Sequence, residues 1–449
     1  MEIGGGYMNR RELLKAGVSA AGIASVLRSG RLLAQAPGAA TGVGDRIYLN
    51  PATGADGNSG AKGSPLRTLG EAGRRVSQSA ETGPMTVVLS KGIYAVGESM
   101  LLKPQTRSFS AVERLTIRAE FLPDDPGWTA DGMPTLIFTM PFTDPPTWNG
   151  RPDAAGGAAD GILVETSHVS ILGLKFLGLP VLEGPRPGIE HRLYGINRNS
   201  RTLEDLEIGH CMFLGDLVTN PIHVAIIANG NGIDIHHTIF RENKITVVYW
   251  QGGSTGHAMR NCIVTGCYGS GLWTAGIMAD FKFENNVVDD CRYAWTYQGA
   301  APAPPFLYNP DGSQSDIPSR GGAAADAAAE GPGRGAAPAG GRGAAGGGAA
   351  AGAGGARGGG RGPIPPGELI HYKIVNSHFG KNLNLAGSGT GATLGYVAID
   401  PGFMDMAGSR VTNQPVPIEM DQRKRNYLHP VAGSDAAKVG AGLFAKPTA

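Results

Sequence analysis

Over short stretches of this chain apolar and polar positions alternate with period 2, and the stretches themselves repeat. LEIGHCMF, IDIHHTIF, AMRNCIVT, FKFENNVV and KIVNSHFG align one under another. Each runs through an apolar anchor, a variable residue, His or Asn, a small residue or Asn, and then mostly apolar residues. The anchors are Ile208, Ile235, Met259, Phe283 and Ile374, at intervals of 27, 24, 24 and 91 residues, the last one stretched by an insertion. Alternation such as Ile233, Asp234, Ile235, His236 marks strands with one face turned inward. Recurrence at this period marks stacked supersecondary units. Together the two patterns predict a parallel β-solenoid whose anchors form a single interior file. SILGLKF supplies an earlier coil with Ile171 as anchor and Gly173 in the third slot, and ERLTIRAE around Ile117 supplies a first one.

The third slot holds His210, His237, Asn261, Asn285 and Asn376. Equivalent residues of neighbouring coils lie about 4.8 Å apart. Side-chain amides at that spacing can bond from coil to coil, and Asn tolerates the left-handed backbone of a sharp bend. A structural role is therefore expected for this slot, His210 and His237 included.

Composition narrows the partners. The 449 residues carry a net charge of +1, which gives no reason to expect nucleic acid or an anionic membrane surface. A monomer is expected. Cys211, Cys262, Cys267 and Cys291 are too few for a disulfide scaffold. Cys267 and Cys291 fall in equivalent slots of adjacent coils, where the spacing leaves a disulfide open. Cys211 and Cys262 are two coils apart and should not pair.

Residues 1–40 read as a targeting segment. Asn9-Arg10-Arg11-Glu12-Leu13-Leu14-Lys15 precedes an Ala/Gly-rich apolar run from Ala16 to Leu27. This resembles a twin-arginine export signal, so a periplasmic or secreted location is expected. The run is too short, and too broken by Arg28 and Arg31, for a stable membrane anchor. After it come a short strand, a Gly/Asp/Asn loop holding Asp56 and Asn58, and Ser64-Pro65, a cap-and-first-turn pair for a helix that buries Leu66, Leu69 and Val76. That helix would cover the open end of the solenoid. Residues 45–299 form the solenoid and its cap. From 300 to 366 the composition collapses to Gly, Ala, Pro and Arg, which cannot bury enough apolar surface to order. The arginines of this insertion could attract an acidic glycan, although tolerated insertion explains it as well. Residues 367–443 return to the final coils and a closing segment.

Two segments carry a family resemblance. YLNPATGADGNSGAKGSPLRTLGEA is similar to the opening of secreted right-handed parallel β-helix proteins of the pectate-lyase-like superfamily, and NYLHPVAGSDAAKVGAG to their closing run, except that Asp435 stands where proline is usual. The resemblance implies a right-handed parallel β-helix, export, and a polysaccharide or oligosaccharide partner. Its chemistry ranges over lyases, hydrolases, epimerases and non-enzymes. The Arg-x-Pro-x-x-Arg pattern of pectate lyases is absent, and of the polygalacturonase motifs only Asp289-Asp290 and Gly256-His257-Ala258 give an echo, in reversed order.

Function on a packed solenoid must sit on an outer face or in loops. Successive strands ahead of the ladder strand gather Tyr249, Trp250, Trp273, Trp295 and Tyr297, with three of the five tryptophans of the chain. Turned outward, such a grid would stack on sugar rings; turned inward, it would be core, and register decides. Near it lie His191, Arg198, His223, Arg241, Lys244 and Arg292. Elimination from a uronide needs a base for the proton α to the carboxylate and a cation for the developing enolate. Lys244 and Arg241 are the candidate bases, with Arg292 and His223 beside them. The resemblance adds Ca2+, which wants several oxygen ligands, yet no D-x-D cluster marks a site for it. The reading is a polysaccharide lyase-like protein acting on an acidic glycan, with a non-catalytic glycan-binding solenoid and a glycoside hydrolase as the alternatives.

Overall fold

In the computed structural model, residues 45–140, 147–148, 151–152, 158–178, 192–198, 200–249, 254–275, 278, 280–298, 372–390, 395–398, 401–406 and 408–445 are described. The twin-arginine segment, His191, Trp250 and the 300–366 insertion lie outside them. Three sheets of ten, nine and nine strands carry the described chain, every neighbouring pair parallel except the last pair of the third sheet. This is a right-handed parallel β-helix. One coil shows the winding: Ile233–His236 in the first sheet, a bend at His237, Ile239–Arg241 in the second, a turn, and Ile245–Tyr249 in the third.

The anchors stack as the spacing predicts. Ile47, Val87, Ile117, Ile171, Ile208, Ile235, Met259, Phe283 and Ile374 pair in unbroken register down the first sheet, and all are buried. The second sheet contributes a parallel file of rings. Phe176 and Phe213 stack at 4.4 Å, and Phe213 and Phe240 at 5.1 Å. In-register winding forces identical slots to share one environment, so large apolar residues interleave along the axis at interior packing density.

The bend slot is left-handed throughout. Gly173, His210, His237, Asn261, Asn285 and Asn376 all have φ between +43° and +75°. Asn376 Nδ2 donates to Asn285 Oδ1 at 2.7 Å, and the His210 and His237 rings stack 5.1 Å apart. A second, buried ladder runs one residue further on and escaped the sequence reading. Cys211 N donates to Thr238 Oγ1, Cys262 N to Asn286 Oδ1, and Asn286 N to Ser377 Oγ. Asn286 Nδ2 also donates to Met259 O at 2.9 Å, so both ends of its buried amide are tied to the preceding coil, while its backbone N reaches the next. All four cysteines are free and buried. The option of a Cys267–Cys291 disulfide is thus not taken up; Thr246 Oγ1 lies 3.0 Å from Cys267 Sγ instead.

The capping helix is present but starts later than the Ser64-Pro65 pair suggests. It spans Leu69–Gln78 with Thr68 as the cap, whose hydroxyl accepts from Glu71 N at 3.2 Å. Leu66 bonds to Tyr48 and Asn50 as one more rung beside Leu49, and this rung holds the chain extended at the point where a helix would begin. Asp56 accepts from Arg67 N, Thr68 N and the Thr68 hydroxyl, and Asn58 donates to Pro65 O. Both are turn formers. Leu66, Leu69 and Val76 are buried as expected. At the other end the closing segment covers the outer face of the second sheet. Met212, Ile239, Ile263 and Val287 pack against Val416, Tyr427, Leu428 and Leu443. No helix among the described residues is long and apolar enough to cross a membrane.

Candidate functional site

The aromatic wall is the main correction. Tyr249 and Trp295 are fully buried, and both belong to the interior cluster. Tyr297 packs against the same cluster and stacks on Phe403 at 5.4 Å. Trp295 Nε1 donates to Thr274 Oγ1 at 3.0 Å, the partner that a buried indole requires. Only Trp273, among the described members, lies on the outer side, against Tyr194, Val224, Ile227, Ile245 and Val248. The cause is a bend within each third-sheet strand. Pairing skips Gly195, Ala225, Thr246, Gly271 and Ala294, and at this slot two consecutive residues face inward, as with Ala225-Ile226 and Ala294-Trp295. A Cβ on Gly271 would stand 2.6 Å from Ala294 O, so the slot takes small residues. Past the bend the in/out parity is reversed, and the aromatics turn into the core.

Three ionisable candidates keep the edge of this sheet. Val224, Ile245, Ser270 and Tyr293 are in register, so the residues before them, His223, Lys244, Gly269 and Arg292, form one file at its mouth. The Lys244 stem leans over Gly269, where an added Cβ would lie 3.1 Å from Lys244 Cγ. Burial pulls the Lys244 amine down to about 8. Arg292 is exposed, its guanidinium 5.9 Å from the Tyr293 ring. His223 is buried edge-on to Tyr194 at 5.9 Å, and desolvation with the Arg192 charge drives its imidazole down to about 3, which keeps it neutral. Arg241 is held elsewhere: it lies in the second sheet, paired with Glu242 at 2.6 Å and against Tyr427 of the closing segment. Arg198 is fully buried and donates to the carbonyls of Asn229 and Asn231. Asp289 accepts from Lys381 N and Val416 N, which makes it a clamp for the closing segment, and Asp290 is a left-handed turn residue.

The outer face of the first sheet carries the polar chemistry that the sequence reading left aside. Arg114 donates to Ser170 Oγ at 2.7 Å and to Asp205. Ser170 donates to Glu207 Oε2 at 2.6 Å, and His236 Nε2 stands 3.1 Å from Glu207 Oε1. The His236 contact, with Ser170 and Arg114 behind it, lowers the Glu207 carboxyl to about 2, so it is ionised at neutral pH. His168 Nδ1 lies 2.8 Å from Asp205, and Arg260 pairs with Asp234. Further along, Lys282 and Lys373 occupy equivalent positions of adjacent coils. Both are exposed beside a cavity of about 330 Å³ whose other walls include Met278, Phe281 and Tyr372. Asp280 and Glu284 line the same cavity, so the two ammonium groups share it with two carboxylates.

No protein-family model matches the sequence, and no curated protein matches it. Solved structures similar to the chain include a rhamnogalacturonan lyase, at 13% identity and TM-score 0.39, covering 76% of this chain and 70% of that one. Another is a GH136 lacto-N-biosidase from Eubacterium ramulus, at 11% identity and TM-score 0.40, covering 57% of this chain and 54% of that one. Likeness at this level assigns no chemistry.

Proposed function

We propose that the protein is an exported carbohydrate-active solenoid that cleaves a uronic-acid-containing polysaccharide by β-elimination. One observation carries the reading: Lys244, an amine lowered to about 8 by burial, leans over side-chain-free Gly269 in the same file as exposed Arg292. A lysine tuned toward neutrality suits a general base. Unprotonated Lys244 would take the proton α to the uronate carboxylate. The electron pair would pass onto the carboxylate, where Arg292 offsets the charge. Its return would expel the glycosidic oxygen, which takes a proton from water to become a hydroxyl, and leave a double bond conjugated with the carboxylate.

The scheme routes no step through calcium. That ion calls for a cage of oxygens, and among the described residues the one group of three or more His, Cys, Asp or Glu side chains with converging ligand atoms is made of histidines.

The test is a panel of uronic-acid polysaccharides, with calcium or with chelator, followed for ultraviolet-absorbing unsaturated products. Lys244→Ala should lower kcat/KM by about 10² to 10⁴, and Arg292→Ala by about 10² to 10³. The wild-type rate should rise with pH and level off above about 8, because the base acts only after losing its proton. Full activity in Lys244→Ala removes this reading. A second reading, glycan binding without turnover, is favoured by the Lys282–Lys373 pair at its cavity. It predicts retention in affinity electrophoresis with no new chain ends, lost in the Lys282→Ala/Lys373→Ala double variant.

A further inference from the structure

Where three later coils place Asn in the bend slot, two coils place His, and a third imidazole joins them from the outer face of the first sheet. Ring nitrogens of His210, His236 and His237 all lie within 4.8 Å of one another. The ring centroids are 5.1 to 5.3 Å apart. Ladder packing alone accounts for the parallel stack of His210 on His237. It does not account for His236, whose ring stands nearly perpendicular to both at 84° and 79°. Gly209 makes room for that ring: a Cβ there would lie 2.3 Å from His236 Cε1.

The nitrogens are sorted by their outer partners. His236 Nε2 faces the Glu207 carboxylate at 3.1 Å, an acceptor that draws the ring N–H to that side and leaves Nδ1 toward His237. His210 Nδ1 faces Leu443 O at 2.6 Å, so it too is protonated, and Nε2 is the open nitrogen. A carboxylate or backbone carbonyl behind each imidazole is the arrangement that orients histidine toward a metal. His236 Nδ1 and His237 Nδ1 are 3.1 Å apart. Two nitrogens bound to one tetrahedral Zn2+ at about 2.0–2.1 Å stand about 3.3 Å apart.

We propose that His210, His236 and His237 form a binding site for a borderline divalent transition metal of the Zn2+ class, with Glu207 and Leu443 O as the groups that orient two of the ligands. An all-imidazole set selects Zn, Ni, Cu or Fe over Ca2+ or Mg2+. A third bond would draw in the His210 nitrogen, which now lies within 4.8 Å of the other two. Leu443 lies in the closing segment, which also meets this ladder where Gly442 N donates to Asn261 O at 2.9 Å. Metal at this point would pin the segment to the solenoid. The inference is independent of the β-elimination reading.

The neighbouring coils supply the control. Asn already occupies the slot of His237 at 261, 285 and 376 with the same left-handed backbone, so His237→Asn keeps the bend and removes a ligand. Untagged full-length protein, stripped with chelator, is titrated with ZnCl2 and separately with CaCl2 by calorimetry, with the melting temperature followed in parallel. Co2+ substitution gives a visible spectrum. The proposal expects one Zn2+ per chain, a raised melting temperature and no response to Ca2+. His237→Asn should keep the metal-free melting temperature while Zn2+ affinity falls more than a hundredfold, and Glu207→Gln should lower affinity about tenfold to a hundredfold. Failure of the parent protein to bind Zn2+ overturns the proposal, as does a folded His237→Asn that binds it unchanged. Should His237→Asn fail to fold, His210→Asn, which changes the same slot one coil earlier, decides in the same way.

Discussion

The outer faces of the first and second sheets are built on the same coils, yet they have opposite fates. On the second, Met212, Ile239, Ile263 and Val287 form an apolar file that the closing segment covers. On the first, the corresponding outward positions hold Ser170, Glu207, Asp234, His236, Arg260 and Lys282; Ser170, Glu207 and His236 form one hydrogen-bonded chain and Asp234 pairs with Arg260. The interior is alike behind both. What differs is whether the outer residues gain more by leaving water or by pairing within it. An apolar outer file demands a cover, and the C-terminal residues supply it. A polar file needs none and can stay accessible to ligands.

Four substitutions sharpen this contrast, in falling order of effect. Phe213→Ala removes the middle ring of the interior stack shared by both faces and should cost about 3–5 kcal/mol in chemical denaturation. Leu428→Ala loosens the cover of the second sheet. It should cost about 2–4 kcal/mol and increase binding of a hydrophobic dye, whereas no change on the first face should raise dye binding.

Glu207→Gln tests the polar face. The Glu207 carboxyl is lowered to about 2 in the folded chain against 4.5 ordinarily. A depressed carboxyl contributes stability that is fully present above its unfolded value and is lost as pH falls through the folded one. The window is therefore roughly pH 5 to 2. The side chain is a third exposed, so screening reduces the contribution to about 1–2 kcal/mol at neutral pH. Glu207→Gln should lose that amount and flatten the acid limb of the stability profile. Arg260→Ala removes a solvent-exposed partner of Asp234 and should cost less than about 1 kcal/mol, an effect reduced further by salt. If Arg260→Ala proved as damaging as Leu428→Ala, the distinction between a covered and an open face would fail.

The coils were legible in the sequence because a repeat copies its environment from rung to rung. Ile208, Ile235, Met259 and Phe283 could be aligned by eye, and the bend slot was marked by Asn and His, which tolerate positive φ. The polar network was only half legible. Glu207 and His236 are 29 residues apart, and only the register of Leu206–Gly209 with Ile233–His236 brings them to neighbouring coils. The cover over the second sheet left no period at all, because Val416, Tyr427 and Leu428 pack singly and not in rungs.

The amino-acid order alone determined that this chain winds in parallel coils, which residues anchor them, and where each coil bends. The rule behind it is local: period-2 alternation and a repeated slot carry their own geometry. The direction of the third-sheet aromatics was decided by tertiary structure. A small residue at Gly195, Ala225, Thr246, Gly271 or Ala294 lets the strand bend against the coil beside it, and one bend reverses the facing of every residue after it. A count by twos cannot register that reversal, so it left open whether Tyr249, Trp295 and Tyr297 face sugar or core, and the bend turned them to the core.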